Sequence, residues 1–593
     1  MFGFISKNRI RLSVAAILIV MAGLMFFSSK GDSNIVDEAA HIPSGFSYVT
    51  RGDYRLNPEH PPLIKDLAAL PLLAIGVKFP YAYWQANDPV VNNQWEIGWR
   101  FLYQLGNDPD QLNILARVPV MSISLMLGYF VFLWSRKLYG DKAGILALTL
   151  YAFNTAIIAH SRFVTTDLGV SFAFFVNMMA LYYYLQQPGW KRLLGTGLTF
   201  GLVLVTKFSA AVCLPVYFLV LIMLVFRERG QKPETFLQEI NGPDRRKRFF
   251  AGVFSFAIIC FAGVIVAWIF YFPHTINMPA EVQRELIRQS LPNEGVLAKF
   301  LPLLSGNVFT RPLAQYILGF AMVTARVSGG HDAYLLGMVS NQGWWYYYPV
   351  ALALKTQIGL FVLFLLTAAF WKRTNHKEWF TEWYFWTLPA ALMYIGMNGK
   401  LNLGVRYMLP IYAFAIVYVS KTASMLDFTA ARMLWNKKVN PSSGASLLAS
   451  LLVAVSVVWY VAAGIFSYPY YLSYYNEFVG GYKNGYKYLT DSNTDWGQDL
   501  KRLAARVEAL GIKKIYIDVF PGVPPAKYYI GDSMLEWHVQ NGRPPEGSYL
   551  AVSANFYQNS RLKKTPENPL DYSWLDKLIP IENVGGSILI YKL

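Results

Sequence analysis

Long apolar runs alternate with short polar ones along this chain, and that alternation sets its class. Eleven runs approach the ~20 residues an α-helix needs to cross a bilayer. They lie at about 11–28, 117–135, 143–160, 168–185, 192–207, 209–226, 250–272, 347–370, 381–397, 407–420 and 447–467. The pattern predicts a mainly α, polytopic membrane protein.

Basic residues mark the ends of alternate runs: Arg136 and Lys137, Lys191 and Arg192, Arg227 and Arg229, Arg245 to Arg248, Lys372 and Arg373, Lys421, Arg432, Lys437 and Lys438. The positive-inside rule puts these loops and the N-terminus in the cytoplasm, and an odd number of spans puts the C-terminal region outside. Lys7, Arg9 and Arg11 before an apolar stretch have the outline of a signal peptide, but Phe27-Ser28-Ser29-Lys30 is a weak cleavage site, so a retained first span is expected.

Composition agrees. Of 593 residues, 54% are hydrophobic and 15% charged, against about 25% charged in soluble domains. The net charge of +17 belongs to the span ends and does not imply nucleic acid. Cys213 and Cys260 both sit in expected spans and suggest neither a disulfide framework nor a metal site.

Four polar pieces are expected outside: 29–116, a turn with His160, Arg162 and Asp167, 273–346, and a tail from 468 to 593. Within the first, 61–78 reads as an interfacial helix begun by Pro61-Pro62, holding His60 and Lys65 near the headgroups. The tail, at roughly 125 residues, is long enough for its own core. It shows a helix over Asp499–Leu510 and strands over Ile515–Phe520, Tyr549–Phe556 and Ser587–Tyr591.

The residues able to do chemistry gather in these outer pieces. Asp37 and Glu38 precede His41 by four and three residues, so on a helix the imidazole shares a face with either carboxylate. A carboxylate beside a placed histidine or water can act as a general base. His60, Pro61, Pro62, Leu63, Ile64 and Lys65 follow, with a lysine suited to phosphate. Arg162 and Arg406 offer planar forks for phosphate, and Lys355 lies inside an expected span, where a charge needs a reason. His160, Asp167, His331 and Asp332 are further candidates. Asp491 to Asp495 resembles the start of a calcium loop, but Trp496 and Arg502 occupy the positions where that loop needs glycine and glutamate, so a helix cap by Asn493 or Asp495 is expected instead.

The ordered set Asp37-Glu38, His41, Gly45-Phe46 and His60-Pro61-Pro62-Leu63-Ile64-Lys65 resembles the protein O-mannosyltransferases and their bacterial relatives, the phospholipid-carrier-dependent glycosyltransferases of family 39. Arg162 to Asp167, Gly404 to Pro410, Tyr475-Asn476-Glu477 and Asp491 to Leu500 extend that resemblance over most of the chain. It implies the C-type glycosyltransferase (GT-C) fold over 1–467, with a small α/β domain over 468–593. It also implies sugar transfer, usually inverting, from a polyprenyl- or dolichyl-phosphate carrier to a protein, lipid or glycan at the outer face of the inner membrane. In this reading Asp37 is the base, Glu38 and His41 orient it or the acceptor, and His60, Lys65, Arg162, Lys355 and Arg406 hold the donor phosphate. No cofactor is required, although Asp37, Glu38 and His41 could ligate a divalent metal. The partners implied are the lipid-linked donor, an envelope acceptor and membrane lipid. The loop 273–346 is too short for the β-rich insertion of eukaryotic members, which leaves sugar and acceptor open. A flippase or an inactive assembly subunit is the alternative; the absence of an internal repeat and the intact Asp37-Glu38 pair weigh against them.

Overall fold

The computed structural model describes every residue except 1, 85–90, 228, 229, 231, 293, 294, 373, 375, 376, 427–440 and 562–569. Of the basic positions that set the expected orientation, Arg229, Arg373, Arg432, Lys437 and Lys438 lie outside the described residues.

The protein is mainly helical, and all eleven apolar runs fall on helices. Seven of them, among the described residues, are continuous, long and apolar enough to cross a membrane: Asn8–Ser29, Pro109–Tyr139, Thr166–Gln186, Phe208–Phe226, Arg245–Thr275, Val405–Met425 and Ser446–Phe466. Two runs expected as straight spans are bent pairs, Asp141–Ala152 with Thr155–Ser161 at 60° and Tyr347–Lys355 with Ile358–Ala369 at 106°. At the first bend Asn154 caps a new helix, its Oδ1 accepting the Ile157 N–H at 2.9 Å. The last two runs correct the count of eleven. Trp190–Leu204 has only 15 residues, and Trp379–Asn398 is rich in Trp and Tyr, whose polar edges lower its hydropathy. The chain is a multi-pass membrane protein with seven such helices, or nine if each bent pair is one span.

Three N-terminal helices frame the first loop: α1 (Phe2–Ser29), α2 (Val36–Arg51) and α3 (Leu63–Ala69). The interfacial helix expected over 61–78 is shorter than that and packed on one side, with Leu70 and Leu73 each 50% exposed on the other. α3 continues only as a 3-10 turn, Leu70–Ala74, and Ile64, Lys65 and Ala68 are inaccessible. The cause is Gly45 in α2: a Cβ there would overlap the Lys65 carbonyl, so its absence lets the two helices meet backbone to backbone. The region 273–346 holds three helices, Ala280–Ser290, Val296–Ser305 and Arg311–Gly329, and a hairpin of β1 (Ala333–Leu335) and β2 (Met338–Ser340).

The C-terminal sheet has five strands: β3 (Ile515–Asp518), β4 (Met534–Glu536), β5 (Tyr549–Ser553), β6 (Glu582–Val584) and β7 (Ile588–Lys592). Their order is β4-β3-β5-β7-β6, with β3 parallel to β4 and β5, and β7 antiparallel to β5 and β6. Helix Leu500–Ala509 covers one face through Leu500, Leu503 and Val507, while Tyr572 and Leu575 pack on the other. The expected strand Tyr549–Phe556 ends early because Ser553 starts a helix, Ala554–Asn559.

The stretch from 471 to 499, expected as part of the soluble tail, is woven into the bundle. Asn476 donates its backbone N–H to Leu354 O at 3.0 Å, and Asn493 Oδ1 accepts the Val405 N–H at 2.9 Å. The Ser33 and Val36 N–H groups bond the Gln498 and Trp496 carbonyls at 2.9 and 3.1 Å. Gly404 makes the crossing possible. Its φ of +108° suits only glycine, and a Cβ would lie 2.7 Å from Ser492 Oγ.

Candidate active site

A cavity of about 540 Å³ opens where α2, the 57–60 loop, the start of helix Thr166–Gln186, the end of helix Arg311–Gly329 and the woven tail meet. Its polar lining includes Asp37, Glu59, His60, Asp167, Lys207, Arg326, His331, Arg406 and Asp491, and much of the remainder is apolar, including Val170, Phe174, Val212, Phe320 and Ile395. The lining therefore combines ionised groups with surface that suits hydrocarbon.

Asp37 and Asp167 occupy the first turns of their helices, where the positive end of the backbone dipole favours a carboxylate. Arg406 joins them: its Nη1 lies 2.8 Å from Asp37 Oδ2 and 3.6 Å from Asp167 Oδ2. Lys207 pairs with the other Asp167 oxygen. The Arg406 guanidinium lies over the Trp496 ring, 4.2 Å from its centroid. Asp37 keeps 24% of its side chain accessible, the most in this group.

His41 follows Asp37 by one turn and also lines the cavity. Its Nδ1 donates to the Val164 carbonyl at 2.8 Å, so in the neutral ring Nε2 carries the lone pair. His60 meets it edge to face at 5.1 Å. Burial pushes both pKa values down, that of His60 well below the ordinary imidazole value, helped by His41, Lys65, Lys207 and Arg326. Both rings are therefore neutral near pH 7. His331 reaches Asp491 Oδ2 at 3.3 Å. Burial raises the Asp491 pKa, but His331 and Arg406 outweigh it and hold the carboxyl below its usual range.

Several expected site residues serve elsewhere. Glu38 is about 100° round the helix from Asp37 and is fully buried. Its oxygens meet Arg117 Nε and Nη2, each at 2.7 Å, and accept the Ile35 and Val164 N–H groups at 3.0 Å. It cannot share a ligand with Asp37 and His41, and among the described residues no group of three His, Cys, Asp or Glu side chains converges as a metal cage. The ligand set Asp37, Glu38 and His41 is thereby corrected.

Lys65 is sealed beneath the 57–60 loop, donating to Tyr48 Oη, Asn57 O, Asn57 Oδ1 and His60 O at 2.7–3.0 Å. Burial pushes its pKa down to about 7, against the pull of Glu59 and Asp66. It shapes the loop that carries His60 and does not line the cavity. Arg162 pairs with Asp32 at 2.6 Å, and Asp32 also meets Arg502 at 2.8 Å. Lys355 bonds the Leu472 and Asn493 carbonyls at 2.7 and 2.6 Å and lies over Tyr475. His160 is buried against Trp496, and Asp332 is absent from the cavity lining. Lys65, Arg162 and Lys355, expected at the donor phosphate, do not line this cavity: Lys65 and Lys355 are held by oxygens of the protein and Arg162 by the Asp32 carboxylate.

Sequence reasoning missed Glu59, Lys207, Arg326, Asp491 and Trp496. Glu59 lies inside the motif itself, Lys207 was read as a span end, and Asp491 and Trp496 sit in the segment read as a helix cap. Asn493 and Asp495 in fact bond across the fold, to Val405 and Asn555.

Residues 100–239 match the family described as dolichyl-phosphate-mannose-protein mannosyltransferase. A comparison with curated proteins finds no match. Among solved structures, the chain is similar to ArnT from Cupriavidus metallidurans bound to undecaprenyl phosphate, at a TM-score of 0.47 and 11% identity over 97% of each chain. It is similar to the S. cerevisiae protein O-mannosyltransferase Pmt1-Pmt2 complex bound to the sugar donor, at 0.34 and 16% over 49% of this chain and 37% of that one. An Archaeoglobus fulgidus oligosaccharyltransferase matches at 0.39 and 10%, over 96% and 72%. These are likenesses of outline, and no residue role is taken from them. It is through residues 100–239, which carry Arg117, Arg162 and Asp167, that the chain resembles the dolichyl-phosphate-mannose-protein mannosyltransferases.

Proposed function

We propose that this protein is a membrane glycosyltransferase of the C type that moves a sugar from a polyprenyl-phosphate carrier to an acceptor hydroxyl at the outer face of the membrane. The observation that carries the reading is a single cavity lined both by the ionised groups Asp37, Asp167, Lys207 and Arg406 and by apolar side chains. A polyprenyl donor needs such a site, because each buried CH₂ holds it in lipid by about 0.8 kcal/mol. The match over 100–239 supports the donor class.

In this reading Asp37 accepts the proton of the acceptor hydroxyl as its oxygen attacks the anomeric carbon. The bond from that carbon to the phosphate oxygen breaks, and the carrier phosphate leaves with the electron pair, inverting the carbon. Arg406 holds Asp37 in place and, with Lys207, Arg326 and neutral His60, supplies fixed donors for the negative charge that develops on the phosphate. Asp167 orients Arg406 and Lys207. Transfer from radiolabelled polyprenyl-phosphate sugars to an envelope extract tests the reading. Sugar transfer by membranes containing the protein is expected; facilitated movement of the intact lipid across the bilayer without transfer would replace the enzyme with a flippase.

A further inference from the structure

Asp491 is a cavity residue supplied by a segment that also belongs to the C-terminal domain. Its backbone φ is +57°, a left-handed conformation that costs energy for any residue but glycine and that Asp and Asn tolerate best. The surrounding structure fixes it there. The Asp491 N–H donates to Asn555 Oδ1. Asn555 is itself held twice by Asp495, its N–H donating to Asp495 Oδ2 at 3.1 Å and its Nδ2 to Asp495 O at 3.0 Å. Asn555 sits where β5 passes into helix Ala554–Asn559, so the C-terminal sheet sets the position of a carboxylate in the cavity. On the other side His331, at the start of the β1 hairpin segment, approaches Asp491 Oδ2 at 3.3 Å.

The Asp491 carboxylate has about four acceptor positions. Ser492 N–H and His331 account for two of them, and the side chain keeps 17% exposure on the cavity side of the molecule. A carboxylate repels a phosphate and accepts hydroxyls, so in a cavity that holds a phosphate-linked sugar its ligand is the sugar. Resting on the donor reading above, we infer that Asp491, braced by His331 and by Asn555 of the C-terminal domain, binds hydroxyls of the transferred sugar and sets which sugar the enzyme accepts. Asn555 acts through Asp491 and is a positioning residue. The C-terminal domain is thus the wall of the sugar subsite.

The test is binding to the full-length protein in nanodiscs. The probes are bare polyprenyl phosphate and the same lipid carrying mannose, glucose, galactose or N-acetylglucosamine. Wild type should prefer at least one glycolipid over the bare lipid. Asp491→Asn should lose about tenfold for that glycolipid, as a charge-assisted hydrogen bond becomes a neutral one, with bare-lipid affinity unchanged. His331→Gln, on a part-exposed residue of another segment, should shift affinity the same way by a smaller factor, and Asn555→Ala should raise the KM for the glycolipid more than it lowers kcat. Equal loss for bare and sugar-bearing lipid, or no loss in Asp491→Asn and His331→Gln, overturns the inference while leaving the donor reading in place. Wild type that binds neither kind of lipid overturns the donor reading itself.

Discussion

Asp37 and Glu38 are adjacent, and each belongs to a different cluster of charge. The cluster around Asp37 lines the cavity: Arg406 pairs with Asp37 and Lys207 with Asp167, while Asp37 and Asp491 keep 24% and 17% of their side chains exposed. The cluster around Glu38 is closed. Glu38 and Arg117 are both 0% exposed, Arg162 and Asp32 nearly so, and Arg502 and Asp499 extend the chain of pairs into the C-terminal domain. The residue types are the same, and what separates them is that only the first cluster lines the cavity. A sealed ion pair adds little net stability, yet losing one partner strands a buried charge. An open pair leaves capacity for a ligand. The protein therefore holds one cluster that ties three chain segments together and another, one residue away, that lines a cavity.

Substitutions can test that division. The largest effect should come from Asp37→Asn, which removes the proposed base but keeps its shape. Transfer of labelled sugar should fall about a thousandfold with the unfolding midpoint in detergent unchanged; normal transfer would move the base elsewhere in the cavity. Next is Arg117→Ala, which leaves Glu38 buried and alone. It should cost about 3–5 kcal/mol of stability, read as a lowered unfolding midpoint and poor yield, and a stable, well-expressed variant would show that Glu38 is not sealed.

A pH series gives a smaller signal from the same closed region. Burial pushes the Asp495 pKa up to about 7, whereas in an unfolded chain it is near 3.9. The folded state then binds more protons between those values, so stability contributed by protonated Asp495 is complete below about pH 4 and is lost as pH rises toward 7. The slope should amount to a few kcal/mol at most, and Asp495→Asn should flatten it; an unchanged slope would assign the titration to another group. The smallest effect is expected from Arg162→Lys. Replacing the fork with a point charge beside Asp32 should cost about 1 kcal/mol of stability and leave donor binding intact, while a large loss of donor affinity would return Arg162 to the phosphate site.

The sequence showed the helices, the polar pieces between them and most of the C-terminal strands, because these follow from short-range periodicity. It also pointed to Asp37, His41, His60, Asp167, His331 and Arg406, which line one cavity. It could not sort these from Glu38, Lys65, Arg162 and Lys355, since what distinguishes them is partners distant in the chain. Arg117 is 79 positions from Glu38, and Asn493 is 138 from Lys355. A charged residue near an apolar run looks alike whether its partner is protein or ligand. The bends at 153–154 and 356–357 carry polar residues, Asn154 at the first and Thr356-Gln357 at the second, but what they bond decides the bend: Asn154 caps the next helix, and Gln357 bonds Thr155 and Tyr460, distant in the chain.

The weaving of 471–499 through the bundle has a consequence for biosynthesis. The cavity needs Asp37 from the first loop and Asp491 and Trp496 from a segment made more than 450 positions later. A growing chain that has already inserted its early helices has no finished pocket until residues 491–496 have been made. Docking of that late segment onto the early helices is thus the folding step that completes the pocket.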